Sequence, residues 1–204
     1  MADQTTRTLE VPGAVLTYDI RRSGAAKEPP LMLIGSPMGA AGFGTLSGYF
    51  TDRTLVTYDP RGVERSRRTD GANRSTPEQH ADDLHRIIAS VGGAVDLFAS
   101  SGGAVNALAL VARHPQDVRT LVAHEPPTAA VLPDRDVALA VCRDIHETYL
   151  RNGIGPGMAK FIAAVSHQGP FTADYLKRPA PDPRCSGCRL RTTVLATTLS
   201  WHRT

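Results

Sequence analysis

The feature that most constrains this sequence is a short hydrophobic run that passes through a turn of small residues into an apolar helix. Residues 96–105 read DLFASSGGAV. A serine on such a sharp strand-to-helix turn takes a strained backbone conformation, and the residues two positions before and after it must be small. Ala99 and Gly103 meet this requirement for Ser101, with alanine in place of the more usual first glycine. The pattern predicts a nucleophile elbow centred on Ser101.

Two other interpretations of this segment were weighed against the elbow. The serine could simply cap the helix in an ordinary turn, but the strand before it, the helix after it and the small flanking residues favour the elbow. Ser100 is a rival nucleophile that lacks the matching small-residue spacing. A helix that begins near Gly102 would direct its free N–H groups and the positive end of its dipole at an oxyanion formed beside Ser101.

Strand-like and helical patterns alternate on both sides of this turn. Residues 8–11 and 15–21 flank Pro12-Gly13 and predict a hairpin. The apolar runs 31–34 and 54–58 are typical of strands buried on both faces of a parallel sheet. The alternation predicts an α/β sheet with right-handed crossovers. Further strands are predicted over 95–98 and 119–123, and helices over 76–91, 103–114, 136–150 and 157–166.

A second segment of interest leaves the third predicted strand through glycine and proline, as LMLIGSPMG over residues 31–39. In an acyl-transfer site such a loop supplies the second oxyanion donor through a backbone N–H. Ser36 can donate, whereas Pro37 has no N–H. An ordinary glycine-containing loop is the equally weighted alternative. Nucleotide binding is disfavoured because Gly39, Gly42 and Gly44 do not form G-x-G-x-x-G.

A third segment, YDPRGVERS over residues 58–66, follows the fourth predicted strand. We interpret it as a structural turn in which Asp59 and Arg61 tie loops together, with no catalytic role.

In the order of these three segments, the chain resembles α/β-hydrolase-fold proteins with a serine nucleophile, which are common among bacterial esterases and peptidases. The resemblance covers about residues 8–123, with a cap to about residue 175. It implies a mostly parallel α/β-hydrolase sheet flanked by helices, with a helical cap and with the last strands missing. Two positions depart from the family pattern: Ile34 replaces the usual histidine of the oxyanion loop, and Glu64 replaces a small residue.

The expected domain organisation follows from these patterns. Residues 1–125 are assigned to the α/β-hydrolase core, 126–178 to a helical cap or lid, and 179–204 to an irregular tail. The stretch 183–204 has no Asp or Glu, four Arg and many Thr. This abrupt change suggests the hypothesis that the reading frame shifted near Arg184, with loss of the last strands; translation of the DNA in the other two frames would test it.

The resemblance also implies a triad in the chain order nucleophile, acid, histidine. None of the seven histidines (His80, His85, His114, His124, His146, His167 and His202) lies where the family pattern requires one. Glu125 is a conceivable acid, although a turn residue that leads into the cap is the favoured interpretation. His114 and His146 are most simply read as surface or packing residues. Cys185, Cys188 and His202 could form a partial zinc site, but a fourth ligand is lacking and coincidence is favoured.

Composition limits the remaining possibilities. A length of 204 residues suits one compact domain. The net charge of +3 is spread among acids, which argues against nucleic acid as a partner. The polar start and the absence of a long apolar run predict a cytoplasmic protein with reduced thiols and no membrane partner. No cofactor is expected, and the oligomeric state is not predicted.

The sequence thus predicts a serine hydrolase of an ester, amide or related acyl bond, with a small-molecule substrate that the sequence does not identify. Ser101 would attack, and the N–H groups of Ser36 and Gly102 would hold the oxyanion. Because a distal histidine is not evident, little or no turnover is expected. The alternatives are a non-catalytic small-molecule-binding protein and a non-functional truncated product. Epoxide hydrolases and dehalogenases are disfavoured because they carry Asp at the position of Ser101.

Overall fold

The computed structural model describes residues 3–24 and 26–179. Within them the chain forms two compact units that divide between Pro127 and Thr128. The strands are β1 (Asp3–Val11), β2 (Ala14–Arg22), β3 (Leu31–Ser36), β4 (Leu55–Asp59), β5 (Arg67–Arg68), β6 (Val95–Ser101) and β7 (Val118–His124). The helices are α1 (Gly44–Ser47), α2 (Pro77–Val91), α3 (Gly102–Arg113), α4 (Arg135–Asn152) and α5 (Ile154–Val165).

The predicted hairpin is confirmed as β1 and β2, joined through Pro12 and Gly13. Gly13 has a φ of 77°, a left-handed conformation that favours glycine. β1 begins at Asp3, five residues before the predicted start. Its polar first residues pair with β2 along their whole length, and this pairing overrides their weak strand propensity.

The sheet has the order β1-β2-β4-β3-β6-β7, with β5 paired to β2. β2 is antiparallel to β1, β4 and β5, whereas β4, β3, β6 and β7 run parallel to one another. The α/β class is confirmed, and the sheet is mixed, with its parallel part formed by four neighbouring strands. The carboxyl ends of these four strands meet at one edge of the sheet, where α/β proteins place their ligand sites.

The two faces of the sheet are covered unequally. One face packs against α2 and α3 and forms the larger core, with Met32, Ile34 and Leu97 from the sheet and Ile87 and Leu110 from the helices. The opposite face carries a smaller cluster formed by Leu31, Leu33, Phe43 and Leu55. β7 pairs only with β6 among the described strands, and its Val122 is 51% exposed.

Helix α2 shows how local sequence fixes an element that supports the site. Thr76 caps it in a capping box with Gln79, and Pro77 occupies its first turn. Gly92 ends it with a φ of 106°. The sequence predicts Thr76 as the cap, Pro77 in the first turn and Gly92 at the end, and the helix begins and ends at these residues, whereas the contribution of Gln79 is seen only in the structure.

The second unit contains two helices, as predicted for residues 126–178. α4 and α5 pack together, and Lys160 on α5 donates to both carboxylate oxygens of Asp144 on α4, at 2.8 and 2.6 Å. No helix in the described part of the chain is both long and apolar enough to cross a membrane. The predicted tail lies outside the described residues from position 180 onward, and so do Cys185, Cys188 and His202.

Candidate active site

Ser101 occupies the junction of β6 and α3. It is the last residue of β6, its φ and ψ are 55° and −128°, and α3 begins at Gly102. An L-residue at positive φ is strained, and such strain is concentrated at functional sites. Ser101 is exposed, whereas Ala99 beneath it is fully buried. A strand, a strained exposed serine and a helix start therefore occur together where the sequence predicted an elbow.

The glycines after Ser101 allow α3 to approach β3 very closely. A Cβ on Gly103 would lie 2.8 Å from the Cα of Gly35, and one on Gly102 would lie 2.8 Å from the carbonyl oxygen of Ser36. Real Cβ atoms do not approach backbone this closely, so neither position accommodates a side chain without movement. The small residue required two positions after Ser101 thus has a physical reason: it lets the helix start against the β3 backbone.

The structure brings together the three residues singled out for the candidate site. Ser36 pairs with Ser101 in the parallel register of β3 and β6, and Gly102 follows directly as the first residue of α3. The Ser36–Pro37 peptide is cis. Ser36 and Gly102 are both half-buried, so the backbone of each lies beside the exposed Ser101.

Asp59, the last residue of β4, holds the loop after β3 in place through a hydrogen bond to its backbone. The Oδ1 atom of Asp59 accepts from the backbone N–H of Ala40 at 2.8 Å, and its Oδ2 atom accepts from Nε of Arg65 at 2.6 Å. Arg65 in turn donates to both oxygens of Asp19 on β2. Burial raises the pKa of Asp19, but hydrogen bonds from Arg65 and Thr6 outweigh it and hold that pKa below its ordinary value.

Arg61 forms the second anchor of this region. Its Nε and Nη2 atoms donate to Asp83 on α2 at 2.8 and 2.6 Å, and it also reaches the carbonyl of Pro12 at 3.4 Å. The side chains of Arg61 and Asp83 are 4% and 1% exposed. Burial raises the pKa of Asp83 against the opposing effect of Arg61. The predicted structural role of Asp59 and Arg61 in tying loops together is confirmed by these contacts.

His124, at the end of β7, contacts Ser100 rather than Ser101, so it does not form a nucleophile–base pair with Ser101. His124 ends β7 in register with Ser100, and its Nδ1 atom lies 3.3 Å from the Ser100 hydroxyl. Its ring also stacks on Phe98, with centroids 5.9 Å apart. Within residues 3–24 and 26–179, no histidine is hydrogen-bonded to the Ser101 hydroxyl. In the sequence, His124 is one of seven histidines outside the expected triad position, and no local pattern predicts its contact with Ser100.

Backbone strain marks the same edge of the sheet at two further residues. Among the described non-glycine residues, positive φ occurs at Glu64, Ser101 and Glu125, with values of 48°, 55° and 50°. Each follows or ends a strand of the parallel part at its carboxyl end: β4, β6 and β7 respectively. Glu125 therefore lies at the same edge as Ser101, one strand away. Glu64 lies against the oxyanion-loop candidate, because a Cβ on Gly39 would meet its Cγ at 2.9 Å.

A cavity of about 300 Å³ lies elsewhere in the first unit, over the amino-terminal halves of β3 and β6, and does not include Ser101. It is largely apolar apart from the ion pair between Arg53 and Asp96. Its position argues against its being the substrate site of a serine at the opposite end of β6. Its lining residues are Leu31, Leu46, Phe50, Arg53, Asp96, Leu97, Phe98, Thr120 and Val122.

Comparison with known proteins agrees with this architecture. No protein-family model matches the chain. The chain is 38% identical over 122 residues to the uncharacterized hydrolase YraK of Bacillus subtilis (strain 168), a match that covers 58% of this chain and 44% of that protein. The chain thus spans less than half the length of this curated relative.

Solved structures show the same fold. An alpha/beta hydrolase from Sphaerobacter thermophilus superposes with a TM-score of 0.59 at 23% identity, covering 85% of this chain and 66% of that one. An alpha/beta hydrolase from Novosphingobium aromaticivorans superposes with a TM-score of 0.52 at 22% identity, covering 59% of this chain and 44% of that one. At these identities the likeness establishes the fold alone.

Proposed function

We propose that this chain, which has the α/β-hydrolase fold, carries the nucleophile and oxyanion hole of a serine hydrolase. The reaction class is hydrolysis of an ester, amide or related acyl bond of a small molecule. The observation that carries the proposal is Ser101 itself, exposed and at a φ of 55° between β6 and α3. That conformation presents a hydroxyl at the carboxyl edge of a parallel sheet, as a nucleophile elbow requires.

In this proposal each residue has a defined role. The hydroxyl oxygen of Ser101 attacks the acyl carbon and gives up its proton to a base, while the carbonyl π electrons move onto the carbonyl oxygen and form a tetrahedral oxyanion. Collapse of this intermediate expels the alcohol or amine, which takes up the proton, and water then releases the acid from Ser101. The backbone N–H groups of Gly102 and Ser36 donate to that oxygen, with the positive end of the α3 dipole adding to the stabilisation. Asp59 positions the oxyanion loop through its bond to Ala40. Glu125 stays a candidate acid, since it lies at the same edge.

A general base for Ser101 is not assigned. A serine hydroxyl without its base is a weak nucleophile, and loss of the triad leaves only about 10³–10⁴-fold acceleration from the oxyanion hole and binding. Since no histidine in residues 3–24 and 26–179 contacts the Ser101 hydroxyl, we expect little turnover from this chain. Aspartate-dependent epoxide hydrolysis is not proposed, because the nucleophile position holds serine.

Labelling with a fluorophosphonate probe tests the nucleophile assignment. We expect slow labelling that Ser101→Ala abolishes, because only Ser101 has the elbow conformation. Ser100→Ala is the matched control, since Ser100 is adjacent and contacts His124. Labelling that survives Ser101→Ala and disappears in Ser100→Ala would transfer the role to Ser100. Fast stoichiometric labelling at Ser101 would show that a base is present after all.

Because no histidine among the described residues is hydrogen-bonded to Ser101, one second candidate is favoured: a non-catalytic protein that binds a small molecule. Binding of acyl compounds without turnover, unchanged in Ser101→Ala, would support that candidate. A cytoplasmic location and the absence of nucleic-acid, membrane and cofactor partners stay predictions from the sequence.

A further inference from the structure

A cluster of metal-ligand side chains lies at the end of α3 that is distant from Ser101. His85 on α2, His114 at the end of α3 and Asp117 in the turn before β7 place one ligand atom each within 4.8 Å of one another. α3 begins beside Ser101 and is 12 residues long, so about 18 Å of helix separates the two regions. The cluster is therefore independent of the candidate active site.

One imidazole nitrogen of the cluster, Nε2 of His114, makes no hydrogen bond. The Nδ1 atom of His85 donates to Oδ2 of Asp117 at 2.6 Å, and the imidazole rings of His85 and His114 stack with centroids 4.0 Å apart. Nε2 of His114 is buried and has no hydrogen-bond partner. A buried ring nitrogen without a partner is costly. An ion bound between these side chains would remove that cost.

A carboxylate stands beside this nitrogen. Oδ1 of Asp82, one turn before His85 on α2, lies 3.6 Å from Nε2 of His114, beyond hydrogen-bond distance. Asp82 also accepts from Arg113 at 3.2 Å. Asp82 therefore borders the cluster on the side of His114, while the three ligand atoms that lie within reach of one another belong to His85, His114 and Asp117.

We propose that His85, His114 and Asp117 bind one zinc-class divalent metal ion, with the fourth coordination position open to water. Imidazole and carboxylate donors in this ratio suit Zn²⁺ and its neighbours in the transition series, whereas Mg²⁺ and Ca²⁺ prefer oxygen alone. Tetrahedral zinc with Zn–N bonds of 2.0–2.1 Å places its ligand atoms about 3.3 Å apart. The His85–Asp117 pair must therefore open slightly and His114 must move inward.

Side-chain exposure allows this rearrangement. His85 and His114 are 38% and 24% exposed at their side chains, so their rings can turn out of the stack without displacing the core. Asp117 is buried, so we expect its carboxylate to keep its position while the two imidazole rings turn. The bound ion would join α2 to the end of α3, which makes its expected effect structural.

Calorimetric titration of the full chain with Zn²⁺ tests the proposal. We expect one ion per chain, a rise in Tm with Zn²⁺ by mass action, and at least tenfold weaker binding in both His85→Gln and His114→Gln. His124→Gln, which changes an exposed histidine outside the cluster, is the matched control and should bind Zn²⁺ like the parent. Equal affinity in the parent and both cluster variants would overturn the proposal, as would no binding by the parent.

A second measurement separates this cluster from the cysteines near the end of the chain. Co²⁺ bound to nitrogen and oxygen gives visible d–d bands without the near-ultraviolet thiolate band that cysteine ligands add. We expect such a spectrum from the Cys185→Ser/Cys188→Ser double variant, and its loss in His85→Gln, a half-exposed position where the substitution should not prevent folding. A thiolate band in the parent, with no Co²⁺ binding by the double variant, would assign the metal to the cysteines instead.

Discussion

Ion pairs occur at both ends of the sheet, but their burial differs sharply. Near the carboxyl ends of the parallel strands, the Arg61 and Asp83 side chains are 4% and 1% exposed. At the amino end of β6, Asp96 binds Arg119, whose side chain is 47% exposed, and Arg119 also binds the exposed Glu28. The Arg61–Asp83 pair thus has both partners desolvated, whereas the Asp96–Arg119 pair joins a buried carboxylate to a solvated arginine. The buried pair must stay intact for the fold to persist, whereas water can replace the exposed one.

This difference coincides with the distribution of backbone strain. The three described non-glycine residues with positive φ all lie at the carboxyl end, the end that also holds the buried Arg61–Asp83 pair. Strained conformations persist only where the surroundings hold them. Asp59 fixes the loop after β3, and Arg61 fixes the turn that contains Glu64 to α2. The buried charges therefore act as the scaffold of the candidate active site.

The largest expected effect comes from breaking the buried pair. Arg61→Met leaves the Asp83 carboxylate buried without its partner, and loss of one member of such a pair costs about 3–5 kcal/mol. We expect urea unfolding, followed by circular dichroism, to show a loss of this size in the free energy of unfolding. The double variant Arg61→Met/Asp83→Leu should recover part of it, because no charge is then left unpaired. A loss near zero in the single variant would show that the two ends are equivalent.

The sequence predicted the parts of the fold that depend on local signals. The capping box at Thr76, the left-handed Gly92 and the Pro12-Gly13 turn each place an element correctly. The junction at Ser101 was predicted for the same reason, since strand, small residues and helix are adjacent in the chain. Asp59 and Arg61 were assigned to loop anchoring from their position after a strand.

Features that depend on long-range packing were not predictable. The pairing of Ser100 with His124 joins residues 24 positions apart and exists only because β6 and β7 are neighbours in register. The stack of His85 on His114 likewise requires α2 and α3 to pack together, and His114 was read simply as a surface or packing residue. The two-residue β5 carries too few residues for any pattern to show.

A smaller, pH-dependent effect on stability is expected from His80, a buried residue of α2. Burial, followed by the nearby charges of Arg61 and Arg68, lowers the pKa of His80 from 6.5 to about 4. The unfolded chain therefore binds this proton at higher pH than the folded protein does. Stability should fall as the pH drops from 6.5 towards 4, by about 3 kcal/mol from this residue.

Unfolding free energies measured at pH 7 and pH 4.5 test this contribution. His80→Leu removes the titrating group, so the difference between the two pH values should be clearly smaller in this variant than in the parent. Carboxylates contribute equally to both proteins and cancel in the comparison. His124→Gln, at an exposed position, should retain the parent's difference. An unchanged difference in His80→Leu would show that the buried histidine does not contribute to acid sensitivity.

The smallest effect is expected at the amino end, where Arg119→Met is the counterpart of Arg61→Met. The hydrogen bond from Arg119, opposed by partial burial and aided by Arg53, holds the pKa of Asp96 below its ordinary value. This depressed pKa stabilises the fold above about pH 4 and ceases to do so as Asp96 is protonated in acid. Since Arg119 is exposed and Arg53 stays paired with Asp96, the loss at pH 7 should be several-fold smaller than in Arg61→Met. It should shrink further in high salt, which screens solvated charges more than buried ones. If Arg119→Met lowered the free energy of unfolding as much as Arg61→Met does, and independently of salt, then solvent exposure would not determine how much these ion pairs contribute to stability.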